Sequence, residues 1–183
     1  MYEDDKFYFQ WKIKNFSYSA NKTGQALVSP SFVADVLDET KWHLAIYPRG
    51  KDDEEYIDIF VKRLKDDGGG VKISIIFTIE LEAADSSRQE RRVSLNSLFE
   101  RGTTWGFQQY IKRQTLLEDM KSTFLPDDIL TIHCTLERAP TEVEYIKEYI
   151  AETFIMTFKK EFTWNVKNLR RATDCCDISG AIY

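Results

Sequence analysis

The side chains best suited to bind another molecule are the two rings of Trp105-Gly106-Phe107. Aromatic side chains supply large apolar contact areas at protein interfaces. The glycine between them permits unusual backbone geometry and the close approach of a second chain. Phe107, Tyr110 and Ile111 follow the spacing of a short helix. We therefore expect a turn followed by a helix that holds two rings at the edge of a sheet, as a recognition site.

Groups for bond-making chemistry are scarce. The two histidines, His43 and His133, alternate with apolar neighbours, as strand residues do. Ser94 and Ser97 form no recognisable nucleophile motif with them. The three cysteines contain no C-x-x-C pair, so a zinc site is not expected. We predict a protein that is not an enzyme and that uses no metal and no cofactor.

Composition narrows the classes of partner. A chain of 183 residues suits one full domain with additional sequence. The net charge of −5 argues against nucleic acid and anionic membranes, which need concentrated Lys and Arg. Its apolar runs are shorter than the roughly 20 residues that span a bilayer. The odd number of cysteines fits a reducing compartment. We expect an intracellular protein of the nucleus or cytoplasm that binds neither nucleic acid nor membranes.

Alternating apolar and polar residues predict a series of short strands. The predicted strands are residues 7–16, 32–33, 41–47, 56–64, 71–81, 88–99 and 129–136. Turn signals separate them, among them Pro48-Arg49-Gly50 and the glycines at 68–70. Trp11, Trp42 and Leu130 are assigned to the core. The pattern predicts an all-β fold, an antiparallel β-sandwich with one short helix.

The sequence after Ala139-Pro140 follows a different pattern. Residues 139–160 are predicted to be a linker that is partly helical, with an extended alternative for 153–158. Residues 161–169 then repeat the order Phe-x-Trp-x-(Ile/Val)-Lys-Asn found at 9–15. We interpret residues 161–183 as the start of a truncated second copy of the same domain. A tail that docks loosely or frays is the alternative.

An ordered series of motifs resembles the MATH (meprin and TRAF homology) domain, and within it the speckle-type POZ protein group. The motifs are Trp11-x-Ile13-x-Asn15-Phe16, Trp42-x-Leu44 with Pro48-x-Gly50, Trp105-Gly106-Phe107 with Ile111-Lys112-Arg113, and Leu125-Pro126-Asp127-Asp128-x-Leu130-Thr131. The resemblance places a MATH domain at residues 7–138. It implies an antiparallel sandwich of seven or eight strands whose shallow groove binds an extended segment of a partner.

The resemblance also implies which residues line that groove. Phe60, Trp105, Gly106 and Phe107 stand on matching positions, and Ile75 stands where an aromatic residue is expected. Taken singly, each ring fits the core of an aromatic-rich sandwich as well. The family match favours the groove for Trp105 and Phe107. It leaves core and groove evenly weighted for Phe60 and Ile75.

The polar half of the implied groove departs from the group. Thr103-Thr104 replace a Lys-Asp pair, and Ser97 replaces a tyrosine. Those polar groups help the relatives to select Ser/Thr-rich peptides, so we do not carry that preference over to this chain.

In the speckle-type POZ group, the MATH domain recruits protein substrates while a separate BTB domain engages a cullin-type ubiquitin ligase. The resemblance therefore implies a substrate adaptor whose BTB domain lies outside these residues. The alternative implied function is an oligomeric signalling scaffold of the TRAF kind.

Overall fold

A computed structural model describes residues 6–140. Nine strands form within that range. They are Lys6–Lys14 (β1), Leu27–Val28 (β2), Phe32–Ala34 (β3), Thr40–Tyr47 (β4), Tyr56–Arg63 (β5), Lys72–Glu82 (β6), Arg88–Glu100 (β7), Thr104–Lys112 (β8) and Ile129–Arg138 (β9). The helical pieces are short: 3-10 turns at Phe16–Tyr18, Asp35–Leu37 and Pro126–Asp128, a π-helical turn at Thr115–Asp119, and an α-helical turn, α1, at Lys121–Phe124.

The strands form two antiparallel sheets. The first sheet has the order β1-β9-β6-β7, and the second has the order β2-β4-β5-β8, with β3 also paired to β4. The predicted antiparallel sandwich is therefore confirmed. β2 was missed because two residues are too few to show an alternating pattern.

The core lies between the two sheets and contains large aromatic rings. Trp42 and Leu130 are buried as predicted, and Trp11 is partly buried against the same core. The Trp42 ring meets Phe99 edge to face with 4.9 Å between centroids. Its indole nitrogen donates a hydrogen bond to Thr40 Oγ1 at 2.8 Å, which satisfies the one polar atom of the ring.

A buried ion pair fixes the glycine-rich turn after β5. The side chains of Arg63 and Asp67 are fully buried, and Arg63 Nη2 donates to Asp67 Oδ1 at 3.0 Å. Arg63 also donates to the carbonyl of Phe99 at 3.2 Å, which ties the turn to β7. This hydrogen bond from Arg63 holds the pKa of Asp67 below its ordinary value. Both charges are thereby compensated in a place that excludes water.

Residues 104–112 form strand β8, so the predicted turn and helix at this position are wrong. Gly106 lies in the ladder opposite Phe60 of β5. Further along, Ile57 pairs with Ile111 and Ile59 pairs with Phe107, so β8 carries two extra residues between these pairs. Such a bulge interrupts strict alternation. It gives β8 a spacing of three and four that imitates a helix.

The carboxylate of Asp58 stabilises this bulge. Asp58 is 4 % exposed, and its Oδ1 accepts a hydrogen bond from the backbone N–H of Gln109 at 2.7 Å. Gln109 has a φ of +49°, the left-handed conformation that such bulges use. Asp58 Oδ2 accepts from the N–H of Lys51 at 2.7 Å. One buried side chain therefore compensates backbone donors on two neighbouring segments.

The predictions for residues 141–183, a partly helical linker and the start of a second repeat, lie outside the described residues. In the part that the structure describes, no helix combines the length and apolarity needed to cross a membrane.

Candidate functional site

Strands β7 and β8 are edge strands, one in each of the two sheets, and they lie side by side. Within residues 6–140, β7 pairs only with β6, and β8 pairs only with β5. Each strand therefore has one edge whose backbone groups make no ladder in the described structure. We call residues 94–98 of β7 and 104–108 of β8 the β7–β8 edge. Side chains, not a backbone ladder, join the two strands.

One side-chain bridge lies at the end of this edge where β8 bulges. The Arg92 guanidinium of β7 donates to the carbonyls of Gln109 and Tyr110 at 3.0 and 2.6 Å. The Tyr110 hydroxyl lies within hydrogen-bonding distance of the carbonyls of Ile79, at 3.1 Å, and Glu90. Burial raises the pKa of Tyr110, so the hydroxyl stays protonated and remains a donor.

A second bridge lies at the opposite end and is made by Trp105. Its indole nitrogen donates to the carbonyl of Leu98 on β7 at 2.9 Å. The ring is nevertheless 50 % exposed. Leu98 is 46 % exposed, and Leu95 on the same strand is 75 % exposed. These three side chains give the β7–β8 edge an apolar surface that is open to solvent.

Phe107 and Phe60 flank β8 on opposite faces. Phe107 is partly buried, with its ring centroid 5.4 Å from that of Phe77 in the core. Phe60 faces outward and covers Gly106, because a Cβ built on Gly106 would lie 2.6 Å from Phe60 Cδ1. The Phe60 ring also meets the Tyr47 ring edge to face at 5.6 Å. Aromatic rings therefore stand on both sides of the free edge of β8.

Comparison with known proteins supports the interpretation of the fold. The family model described as the MATH domain matches residues 8–136. The chain belongs to the MATH domain family. MATH domains typically serve as protein-interaction modules. The chain is also similar in structure to TRAF5 from Notothenia coriiceps, with a TM-score of 0.56 and 15 % identity, over 78 % of this chain and 77 % of that chain. At that identity the likeness shows a shared fold.

The structure of the MATH domain separates Ile75 from the other predicted groove residues. Ile75 lies on β6, between two other strands of its sheet, and it is 0 % exposed. Of the two roles weighed for Ile75, core and groove, its burial favours the core. Its neighbour in register is Ser97 on β7, which is 8 % exposed. The Ser97 hydroxyl is hydrogen-bonded to that of Ser94 at 2.5 Å.

The two threonines precede Trp105 on the side of the Trp105 bridge. Thr104 is exposed and pairs with Lys62 of β5. Thr103 is partly buried, and its carbonyl accepts a hydrogen bond from the N–H of Arg63 at 3.0 Å. Thr104 therefore presents its hydroxyl to solvent beside the tryptophan, while Thr103 anchors the start of β8.

Sequence reasoning missed Leu95 and Leu98 as members of this surface. A register shift between Ile75 and Phe77, with Asn96 at a φ of +51°, places Leu95 in a bulge where it is exposed. Leu98 lies outside the bulge and faces outward by ordinary alternation between buried Ser97 and Phe99. The available signal was the irregular spacing of apolar residues in the predicted strand 88–99. A bulge explains that irregularity.

The two histidines lie on different sheets of the MATH domain. His43 is on β4, where burial and the charge of Lys62 lower its pKa. His133 is on β9, with its Nε2 at 2.6 Å from Glu82 Oε2. No group of three or more His, Cys, Asp or Glu side chains is placed to hold a metal ion among residues 6–140.

Proposed function

We propose that this MATH domain binds an extended segment of a partner protein along the β7–β8 edge. A bound segment pairs its backbone with an unpaired strand edge, which supplies affinity, and its alternate side chains enter neighbouring pockets, which supplies selectivity. Two free edges side by side offer this backbone pairing without any rearrangement of the sandwich.

The observation that carries the proposal is the exposed apolar surface on these edges. Edge strands with exposed apolar side chains invite pairing with other chains, and proteins commonly protect them with charge or a cover. Trp105, Leu95 and Leu98 are exposed at this position instead. Exposed clusters of this kind mark interaction sites.

Each predicted residue has a distinct role in the proposed complex. Trp105 is the main apolar anchor, because it is half exposed and held in one orientation by the Leu98 carbonyl. Phe107 and Phe60 provide contact area on the two faces of β8. Gly106 lets β8 lie close against β5 beneath the Phe60 ring, and Thr104 offers a neutral hydroxyl beside the tryptophan. Ser97 has little exposed surface and contributes mainly to the floor of the site.

A peptide titration tests this proposal. Fluorescence-labelled extended peptides from a random library are titrated against the 183-residue chain, and polarisation is measured. We expect Trp105→Ala to weaken binding by about 2 kcal/mol, a factor of roughly 30, as for a central interface anchor.

The matched control is Tyr8→Ala. Tyr8 is an aromatic residue of similar exposure, 55 %, on β1 at the far end of the first sheet's strand order. Its loss should leave affinity unchanged. Equal affinities for the wild-type chain and Trp105→Ala would eliminate the β7–β8 edge as the binding site.

We further propose that the bound segments belong to substrates of a cullin-type ubiquitin ligase. The support is the resemblance to the speckle-type POZ protein group, in which the ligase is engaged through a BTB domain. Such a domain lies outside the 183 residues. The test is co-purification of a cullin with the product of the full transcript. Stable substrate levels after deletion of its BTB segment would support the adaptor role, and unchanged degradation would refute it.

A TRAF-like signalling scaffold is the second candidate. The structural similarity to TRAF5 over most of both chains favours it. A scaffold of this kind predicts an oligomer, whereas a recognition module acts as a single copy. Sedimentation equilibrium of the longest natural form of the protein distinguishes the two candidates. A trimer supports the scaffold, and a monomer supports the recognition module.

A further inference from the structure

A cleft distinct from the β7–β8 edge lies where β8 ends. Its volume is about 380 Å³, and it opens between the loop that joins β4 to β5 and the helical turn after β8. The charged residues that line it are Arg49, Glu54, Glu55, Lys112, Arg113 and Glu118. We call it the Arg113 cleft. Lys112 and Arg113 belong to a motif that the proposed peptide site does not use.

Backbone geometry holds the two arginines of this cleft in place. Arg113 follows β8 directly, and its N–H donates to the carbonyl of Glu55 at 2.7 Å. Arg49 precedes Gly50, which has a φ of +56° and whose N–H donates to the carbonyl of Tyr47 at 3.1 Å. Arg49 therefore lies in a tight turn, and the side chains of Arg49 and Arg113 both extend from fixed backbone positions.

The decisive feature is an unused donor on Arg113. Its Nε is buried and has no hydrogen-bond partner among the described residues. Arg113 also makes no ion pair within residues 6–140, and the ion pair of Arg49 with Glu54 is long, at 3.8 Å. A buried N–H donor without an acceptor is energetically unfavourable. Burial and the nearby charge of Arg49 accordingly lower the pKa of Arg113.

The charges are arranged by depth. Arg49 and Arg113 are half-buried, whereas Glu54, Glu55 and Glu118 are exposed. The less exposed charges of the cleft are therefore both cationic, and the exposed ones are the three carboxylates and Lys112. A small group with negative oxygens reaches the arginines, while the exposed carboxylates and the net charge of −5 oppose a polyanion such as nucleic acid.

We propose that the Arg113 cleft binds an oxyanion, the carboxylate or phosphate of an acidic side chain on a partner protein. The Nε–H and terminal N–H groups of a guanidinium form a planar fork that matches two oxygens of such a group. The bound oxygen accepts the hydrogen bond that Arg113 lacks, and its charge offsets the repulsion between Arg113 and Arg49.

The test follows the Arg113 side chain directly. The 15N-labelled chain of 183 residues is titrated separately with inorganic phosphate and with acetate, at constant ionic strength, and the Nε–Hε resonances are recorded by NMR. We expect a saturable shift of the Arg113 resonance. Saturation with phosphate alone assigns a phosphorylated side chain, saturation with acetate alone assigns a carboxylate, and saturation with both assigns either. Saturation with neither overturns the proposal.

Two variants distinguish a specific anion site from nonspecific attraction to positive charge. Arg49→Gln removes one cation without touching the Arg113 resonance that is observed, and it should raise the apparent Kd roughly tenfold or more. Arg88→Gln removes an exposed arginine elsewhere, on β7, and should leave the Kd unchanged. Equal effects of the two variants, or the same shift with sodium chloride alone, would overturn the assignment.

A last variant separates this inference from the proposed peptide site. Trp105→Ala should weaken peptide binding at the β7–β8 edge by the factor of roughly 30 given above and leave the anion titration unchanged. Loss of the anion response in Trp105→Ala would contradict two independent sites.

Discussion

The close approach of β5 and β8 at Gly106 gives a quantitative prediction about Gly106→Ala. A Cβ at this position would lie 2.4 Å from the carbonyl oxygen of Ile59, 2.5 Å from Phe60 Cα and 2.6 Å from Phe60 Cδ1. Two of these three atoms belong to the backbone of β5. Rotation of the Phe60 ring therefore relieves only part of the overlap, and the strands must separate.

The expected loss of stability follows from two opposing effects. Overpacking of this kind costs about 1–3 kcal/mol. Replacement of glycine by alanine also restricts the unfolded chain, which stabilises the folded state by about 0.4–1 kcal/mol. We expect Gly106→Ala to lower the free energy of unfolding by about 1–2 kcal/mol. For a chain of this length, that corresponds to a decrease in Tm of about 2–8 °C.

Gly68→Ala is the matched control for thermal unfolding by circular dichroism. Gly68 is exposed, and a Cβ built on it meets no heavy atom within 4 Å. This variant gains the same restriction of the unfolded chain without a clash, so its Tm should equal or slightly exceed that of the wild type. Equal Tm values for Gly106→Ala and Gly68→Ala would refute the close strand approach.

Three further predictions concern buried polar groups. Asp67 has a lowered pKa, so its contribution to stability is complete above about pH 4 and is lost as the pH falls through the folded-state value. Asp67→Asn should therefore lower the free energy of unfolding by about 3–5 kcal/mol at pH 7, because its buried arginine partner keeps its charge. The stability of this variant in urea should then depend less on acid pH than that of the wild type. The same loss of stability at acid pH in both proteins would argue against this pair. Tyr110→Phe removes the one hydroxyl donor that the carbonyls of Ile79 and Glu90 share and should reduce stability by about 1–3 kcal/mol in the same assay, whereas wild-type stability would mean that the carbonyls find another donor. Burial raises the pKa of the Cys134 thiol, so in a Cys175→Ser/Cys176→Ser background a thiol reagent should label the chain only after denaturation, and rapid labelling of the native chain would contradict the burial.

The sandwich was predictable because most strands follow one simple rule, the alternation of inward and outward side chains. In β4, Trp42, Leu44 and Ile46 are buried, and Lys41, His43 and Tyr47 are half-buried, while the small Ala45 is buried as well. A side chain's direction in a regular strand depends only on whether its position is odd or even. The sequence of β4 therefore carries most of the prediction, and β1 follows the same alternation.

The rule fails where a strand contains extra residues. In β8, the bulge around Gln109 turns Tyr110 and Ile111 inward together, and the spacing imitates a helix. In β7, the bulge near Asn96 exposes Leu95. Both bulges depend on the partner strand. Asp58 on β5 holds the bulge of β8, and no local pattern in β8 reports this residue.

The candidate site was predictable in part for the same reason. The motif around Trp105 identified a segment that the structure places at a free edge, with the ring half exposed. On β7 only Ser97 was predicted as a site residue, and for Ile75 the sequence left the choice between core and groove open. Whether a position in a strand is exposed depends on what covers that face. The covering residues of Ile75 come from the other sheet and neighbouring strands, far away in sequence.

Local alternation and an ordered series of motifs specify the sandwich, its aromatic core and the family to which the chain belongs. The packing of the two sheets, in contrast, places the free edges of β7 and β8 side by side, covers Gly106 with Phe60, and buries the Nε of Arg113 without an acceptor among residues 6–140. These features depend on distances between segments that are remote in the chain. Such distances arise when the two sheets pack, and a linear pattern does not encode them locally.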